Sequence, residues 1–150
     1  MFVLLLLFLA TKTPRHEVNT KGFKALSEQE EDVGKAVVSA AFAVHKELGP
    51  GLLEKVYETC FCQELISSGY NVMRQLDIPI IYRNMKFDEG LRLDVLVNDL
   101  VICELKAVDE VNPVWQAQLL SHLRLTGKRL GYLINFNVPL IKQGIKRMVL

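Results

Sequence analysis

Residues 91–107 read LRLDVLVNDLVICELKA: two apolar runs joined through Asn98-Asp99-Leu100, with Asp94 inside the first run and Glu104 and Lys106 inside the second. Side chains alternate along a strand, so Glu104 and Lys106 emerge on one side, about 7 Å apart, while Leu105 points the other way. Ions in strands this apolar are costly to bury unless they pair or bind something. A Glu–Lys pair on a half-exposed strand is one account of them, and a ligand-binding site is the other. The hairpin register bears on the choice. A two-residue turn at Asn98-Asp99 leaves Asp94 on the opposite side of the sheet from Glu104, whereas a three-residue loop, Asn98 to Leu100, pairs Val97 with Val101 and sets Asp94 across from Glu104. The second register is expected. Two facing carboxylates repel and raise each other's pKa, a conflict that a divalent cation between them removes.

Working outward, Pro113 suits the first turn of a helix reaching Leu125, closed by Thr126-Gly127-Lys128. Leu130 to Phe136 is apolar enough for a buried strand, and the strand–helix–strand unit from Val101 to Phe136 predicts a right-handed crossover onto a parallel neighbour. Lys142 to Met148 offers a last short helix. Upstream, Val72, Leu76, Ile78, Ile80 and Tyr82 follow period two, and Pro79 marks that stretch as an edge or a bend. Arg83 to Lys86 reads as a turn. Earlier still the period is helical. Ser27 and Glu30 form a capping box, Val33, Val37, Ala40, Val44 and Leu48 make a buried stripe, and Gly49-Pro50-Gly51 breaks the helix. A second helix carries Leu53, Val56, Tyr57, Cys60, Phe61 and Leu65 as its apolar positions and ends at Ser67-Ser68-Gly69. Patterning alone leaves several α/β and α+β folds open.

An acid followed by Glu-x-Lys on the neighbouring strand resembles the PD-(D/E)XK nuclease superfamily. Within it, Gly51-x-x-Glu54-x-x-Tyr57 matches the pattern of the GxxExxY family. The similarity runs from about Leu26 to the C-terminus and takes in Gln118 to Leu123 and Leu133 to Phe136. The resemblance implies an α/β, restriction-endonuclease-like core: a mixed sheet of about four or five strands flanked by helices. It also implies a metal-dependent phosphodiester hydrolase acting on DNA or RNA. Mg²⁺ or Mn²⁺ would be held by Asp94, Glu104 and the carbonyl of Leu105, with Glu54 as the helix carboxylate near the metal.

Lys106 would orient or deprotonate the attacking water, or stabilise charge on phosphate oxygens, and a neighbouring cation would make its neutral form easier to reach. Gln118 stands where RecB-like members carry the Gln of Gln-x-x-x-Tyr, and is a candidate donor to the site or to phosphate. His122 replaces the Tyr of that pattern. It either bonds phosphate when protonated or sits on a polar helix face, and the second is favoured. Tyr57 is a supporting residue that reads equally as a core aromatic with its hydroxyl reaching water. Glu54, without the resemblance, reads as an acid placed favourably near a helix N-terminus. Trp115 reads as core or rim, and His16 and His45 as structural or incidental.

Composition bounds the rest. At 150 residues, 50% of them hydrophobic, the chain suits one compact core. The net charge of +1 says little about partners, but from Val111 onward there are six basic residues and no Asp or Glu. That asymmetry suits a phosphate backbone as well as it suits a solvated helical face. Cys60, Cys62 and Cys103 form no CxxC pair, consistent with a reducing, cytoplasmic setting. Met1 to Ala10 is nearly pure Leu, Val and Phe, too short for the roughly 20 residues of a stable membrane span. It reads as an accessory extension, followed by a basic linker from Thr11 to Lys24, with the nuclease-like domain over 26–150. Two other functions stay open: a catalytically inactive scaffold binding nucleic acid or a protein partner, and an enzyme using the same geometry on a small phosphorylated substrate. A domain this small has little room for a sequence-reading module, so specificity would come from a homodimer or a partner.

Overall fold

The computed structural model describes residues 24–150; the apolar extension and nearly all of the linker, His16 included, lie outside them. Two helices come first, α1 (Glu28–Leu48) and α2 (Glu54–Ser67), then strands β1 (Val72–Tyr82), β2 (Met85–Val97) and β3 (Val101–Lys106). Helix α3 (Val114–Thr126) leads into β4 (Leu130–Asn135), and a single turn, α4 (Ile141–Gly144), precedes β5 (Ile145–Val149). The five strands form one sheet in the order β1-β2-β3-β4-β5. Only β3 and β4 are parallel, so the sheet is mixed, with helices flanking it as the sequence predicted.

Two apolar clusters hold the layers together. Val33, Val37, Ala41 and Val44 of α1 and Tyr57, Phe61 and Leu65 of α2 pack with Val95, Val101, Cys103, Leu105, Tyr132 and Ile134. A second cluster joins Leu119 and Leu123 of α3 to Leu93, Leu96, Ile102 and Leu133. Packing against both clusters explains why every residue of β3 and β4 except Lys106 is buried: the two strands are covered on both faces. The Ser27–Glu30 capping box starts α1 as expected, with Ser27 Oγ accepting from the Glu30 N–H and the Glu30 carboxylate accepting from the Ser27 N–H.

Several local expectations are corrected. Leu53 and Val56 are exposed, and α2 buries Glu58 and Cys62 alongside Tyr57, Phe61 and Leu65. The turn expected over Arg83 to Lys86 is confined to Arg83 and Asn84, both with positive φ, so β2 begins at Met85 and not at Leu91. Only one helical turn precedes β5, where a helix from Lys142 to Met148 was expected. The physical reason is the open edge of β4: its buried backbone groups need partners, and β5 supplies them from Leu130↔Val149 to Ile134↔Ile145. Pro79 does mark an edge strand, and the β1–β2 register shifts between Ile78 and Ile80.

Tyr57 is fully buried and stacks on Phe136, with ring centroids 4.7 Å apart. Its hydroxyl donates to the Gly49 carbonyl at 2.6 Å and accepts from the Leu52 N–H at 3.1 Å, clamping the loop that carries the chain from α1 into α2. Expected either as a supporting residue of the site or as a core aromatic with its hydroxyl reaching water, it is a core aromatic whose hydroxyl is taken up by backbone. Tyr57→Phe should therefore lower the unfolding free energy in urea by about 1–3 kcal/mol, since two backbone groups lose their partner; an unchanged midpoint would show that the clamp contributes nothing.

Candidate functional site

Strands β2 and β3 pair over only three steps, Val97↔Val101, Leu96↔Ile102 and Val95↔Cys103, which is the register of the three-residue loop. Asn98 and Asp99, both with positive φ, and Leu100 make that loop, and the Leu100 N–H donates back to the Val97 carbonyl. Beyond Val95 the strands part, β2 continuing with β1 while β3 runs beside β4. Asp94 stands at this fork. Its Oδ2 accepts the Leu105 N–H at 2.9 Å, so a side chain takes the acceptor place that a departing strand leaves empty.

Glu104 and Lys106 lie next to it. Lys106 Nζ donates to Glu104 Oε1 at 2.9 Å, while Glu104 Oε2 is buried with no hydrogen-bond partner. Trp115, at the start of α3, places its ring 5.1 Å from Lys106 Nζ, adding a cation–π contact. Burial pushes the Glu104 carboxyl up, and the charge of Asp94 pushes it further, against the hydrogen bond from Lys106. Burial likewise raises Asp94, against the Leu105 N–H and Lys106. For Lys106 burial disfavours the charge, but the Glu104 hydrogen bond and the charges of Glu104, Asp94 and Glu54 outweigh it and hold the ammonium.

The other expected residues take different places. Glu54, at the first position of α2, is exposed on the rim; partial desolvation raises its carboxyl, Lys106 pulls it down, and Asp94 and Glu58 push it up. Gln118 is exposed on α3. His122 is not on a polar helix face: it is only 3% exposed, its Nδ1 has no partner, and desolvation lowers its pKa although Asp94 pulls the other way. Helical spacing put Gln118 and His122 on one face, but α3 turns that face so that only His122 is buried.

Sequence reasoning missed Glu58, Arg74 and Gln75. Glu58 is buried one turn beyond Glu54, its Oε1 accepting from Arg74 and its Oε2 from Gln75 Nε2 at 2.8 Å. These three residues, with Glu54 and Lys55, line a cleft of about 520 Å³. The i, i+4 spacing of Glu54 and Glu58 was the one available signal; the bend that brings Gln75 in has none.

Among the described residues no three His, Cys, Asp or Glu side chains converge closely enough to hold a metal ion. What does fit a hard divalent cation is the donor chemistry of Asp94 and Glu104: two like-charged, largely buried carboxyls, one with an orphaned oxygen. Among the described residues, no helix is long and apolar enough to cross a membrane.

Asp94 and Glu104 bind protons more tightly in the folded chain than in the unfolded one. Their contribution to stability should fall as pH rises from their ordinary values, 3.8 and 4.5, through the raised ones. Lys106, shifted upward, contributes stability through that whole window and loses it only above its ordinary 10.5. Urea midpoints from about pH 4 to 7 should show a shallower decline for Glu104→Gln than for the native chain; parallel curves would mean that Glu104 titrates normally.

Residues 31–148 match the family model of the PD-(D/E)XK nuclease superfamily. No curated protein and no solved structure gives a significant match.

Proposed function

Because the chain belongs to the PD-(D/E)XK nuclease superfamily, we propose that it is a metal-dependent hydrolase cutting phosphodiester bonds in DNA or RNA, with Asp94, Glu104 and Lys106 at its centre. Nucleases of this superfamily generally use divalent metal ions. The observation that carries the proposal is the partly buried Asp94 and the buried Glu104 beside Lys106, with Glu104 Oε2 left without a partner. A purely structural salt bridge needs one carboxylate for one ammonium; a second, partly buried acid raises the cost.

Asp94, Glu104 and the Leu105 carbonyl would hold Mg²⁺ or Mn²⁺, with Glu54 supplementing them from the rim. The ion supplies charge neutralisation at the scissile phosphate and an activated water. Lys106, held as an ammonium by the surrounding carboxylates, donates to a phosphate oxygen or orients the water. Gln118, exposed on α3, reaches for the nucleic-acid backbone, and His122 is buried, where desolvation favours its neutral imidazole. Gly51, Glu54 and Tyr57 support placement within the GxxExxY family. The domain would span 26–150 and work in the cytoplasm, where its three free cysteines stay reduced.

A second reading, a scaffold that binds nucleic acid without cutting it, draws support from the absence of a three-acid cluster among the described residues. One panel separates the two. With Mg²⁺ or Mn²⁺ the protein should cleave a mixed set of single- and double-stranded DNA and RNA, and Asp94→Ala and Lys106→Ala should each slow cleavage about 100-fold or more. Binding that weakens steeply with salt, with no cleavage under either ion, would establish the scaffold instead. Cleavage that survives both substitutions would remove these residues from the chemistry.

A further inference from the structure

The buried carboxylate of Glu58 lies outside the set assigned to hydrolysis, yet it is bound to two consecutive residues of one strand. Arg74 Nε donates to Glu58 Oε1 at 2.9 Å and Gln75 Nε2 donates to Oε2 at 2.8 Å. Consecutive strand residues ordinarily point to opposite faces. Both reach α2 here because Gln75 has a φ of 48°, a left-handed conformation that a non-glycine residue adopts in mid-strand only when its surroundings compel it.

Gln75 is the residue opposite Asp94, flanked by the pairs Arg74↔Val95 and Leu76↔Leu93. Both strands change sides at this step. Val72 and Val95 pack into the cluster beneath α1 and α2, whereas Leu76 and Leu93, two or four positions along, pack into the cluster beneath α3. Regular alternation would have kept each of these couples on one face. Asp94, at the crossing, therefore lies between the two faces, which is how its carboxylate comes to meet the Leu105 N–H.

We infer that Glu58 and Gln75 form a latch that holds the β1–β2 crossing, and that the latch is what positions Asp94 against β3. Arg74 completes it by neutralising Glu58, with its Nη2 also donating to Thr59 Oγ1 at 3.2 Å. Glu58 and Gln75 are positioning residues: they act on the site through Asp94. The latch concerns the same centre as the proposed nuclease activity, and its importance for catalysis rests on that reading, but its effect on Asp94 does not.

Hydrogen exchange of the Leu105 amide tests the inference in the full chain. Gln75→Gly is the informative variant, because glycine accepts a φ of 48° without strain while lacking the side chain that reaches Glu58. Leu105 should exchange about tenfold faster in Gln75→Gly, approaching the rate in Asp94→Ala, with Ile102 and Cys103 amides unchanged; tenfold is about what one lost hydrogen bond yields. Gln75→Ala, which keeps the strain and loses the latch, should show the same rise. Native-like Leu105 protection in Gln75→Gly, or in Asp94→Ala, overturns the inference. If Gln75→Gly loses protection in a protein that cuts nothing, the latch stands and the nuclease reading falls. If cleavage is robust and Leu105 protection is untouched, the reverse holds.

Discussion

A single hydrogen bond, from the Leu105 N–H to the Asp94 carboxylate, joins two strands at the place where their backbone ladder ends. Without an acceptor there, the fork between β2 and β3 would leave a partly buried N–H unsatisfied, at a cost comparable to that of a lost hydrogen bond. With an acid as acceptor, the fork carries a negative charge beside the next residues of β3, Glu104 and Lys106. The parting of the strands and the gathering of charge are thus one feature of the backbone. The apolar clusters beneath α1, α2 and α3 hold it in place from both sides.

Charge at this point is balanced only within the group. Asp94, Glu104 and Glu54 all act on Lys106, and the ammonium engages one oxygen of Glu104 while the other stays unpartnered. A chain selected for stability alone would be better served by apolar side chains of similar volume in these positions. Excess acid around one cationic side chain is the pattern expected when a further positive charge is part of the working state. Trp115 places its ring face near the ammonium, and Tyr57, remote from the chemistry in its hydrogen bonding, fixes the start of the helix that carries Glu54.

The hairpin register was legible because only the three-residue loop pairs Val97 with Val101 and sets Asp94 across from Glu104, where two acids can share a cation. The parallel pairing of β3 with β4 followed from the strand–helix–strand order of Val101 to Phe136. The C-terminal strand was not legible, because Ile145 to Val149 acquires its conformation from the open edge of β4, a partner distant from any local pattern. Gln75 was invisible for a related reason: no residue type announces a left-handed position that side-chain bonds enforce. His122 was read as facing water from its polarity, whereas the packing of Leu119 and Leu123 turns it inward.

The placement of Trp115 has an optical consequence. It is the chain's one tryptophan, so all indole emission originates beside the Lys106 ammonium. A nearby cation perturbs an indole's excited state, and anything that draws the lysine away from the ring changes that perturbation. The protein therefore carries its own fluorophore beside Lys106, and a change in the lysine's surroundings can be followed by light without attaching a label.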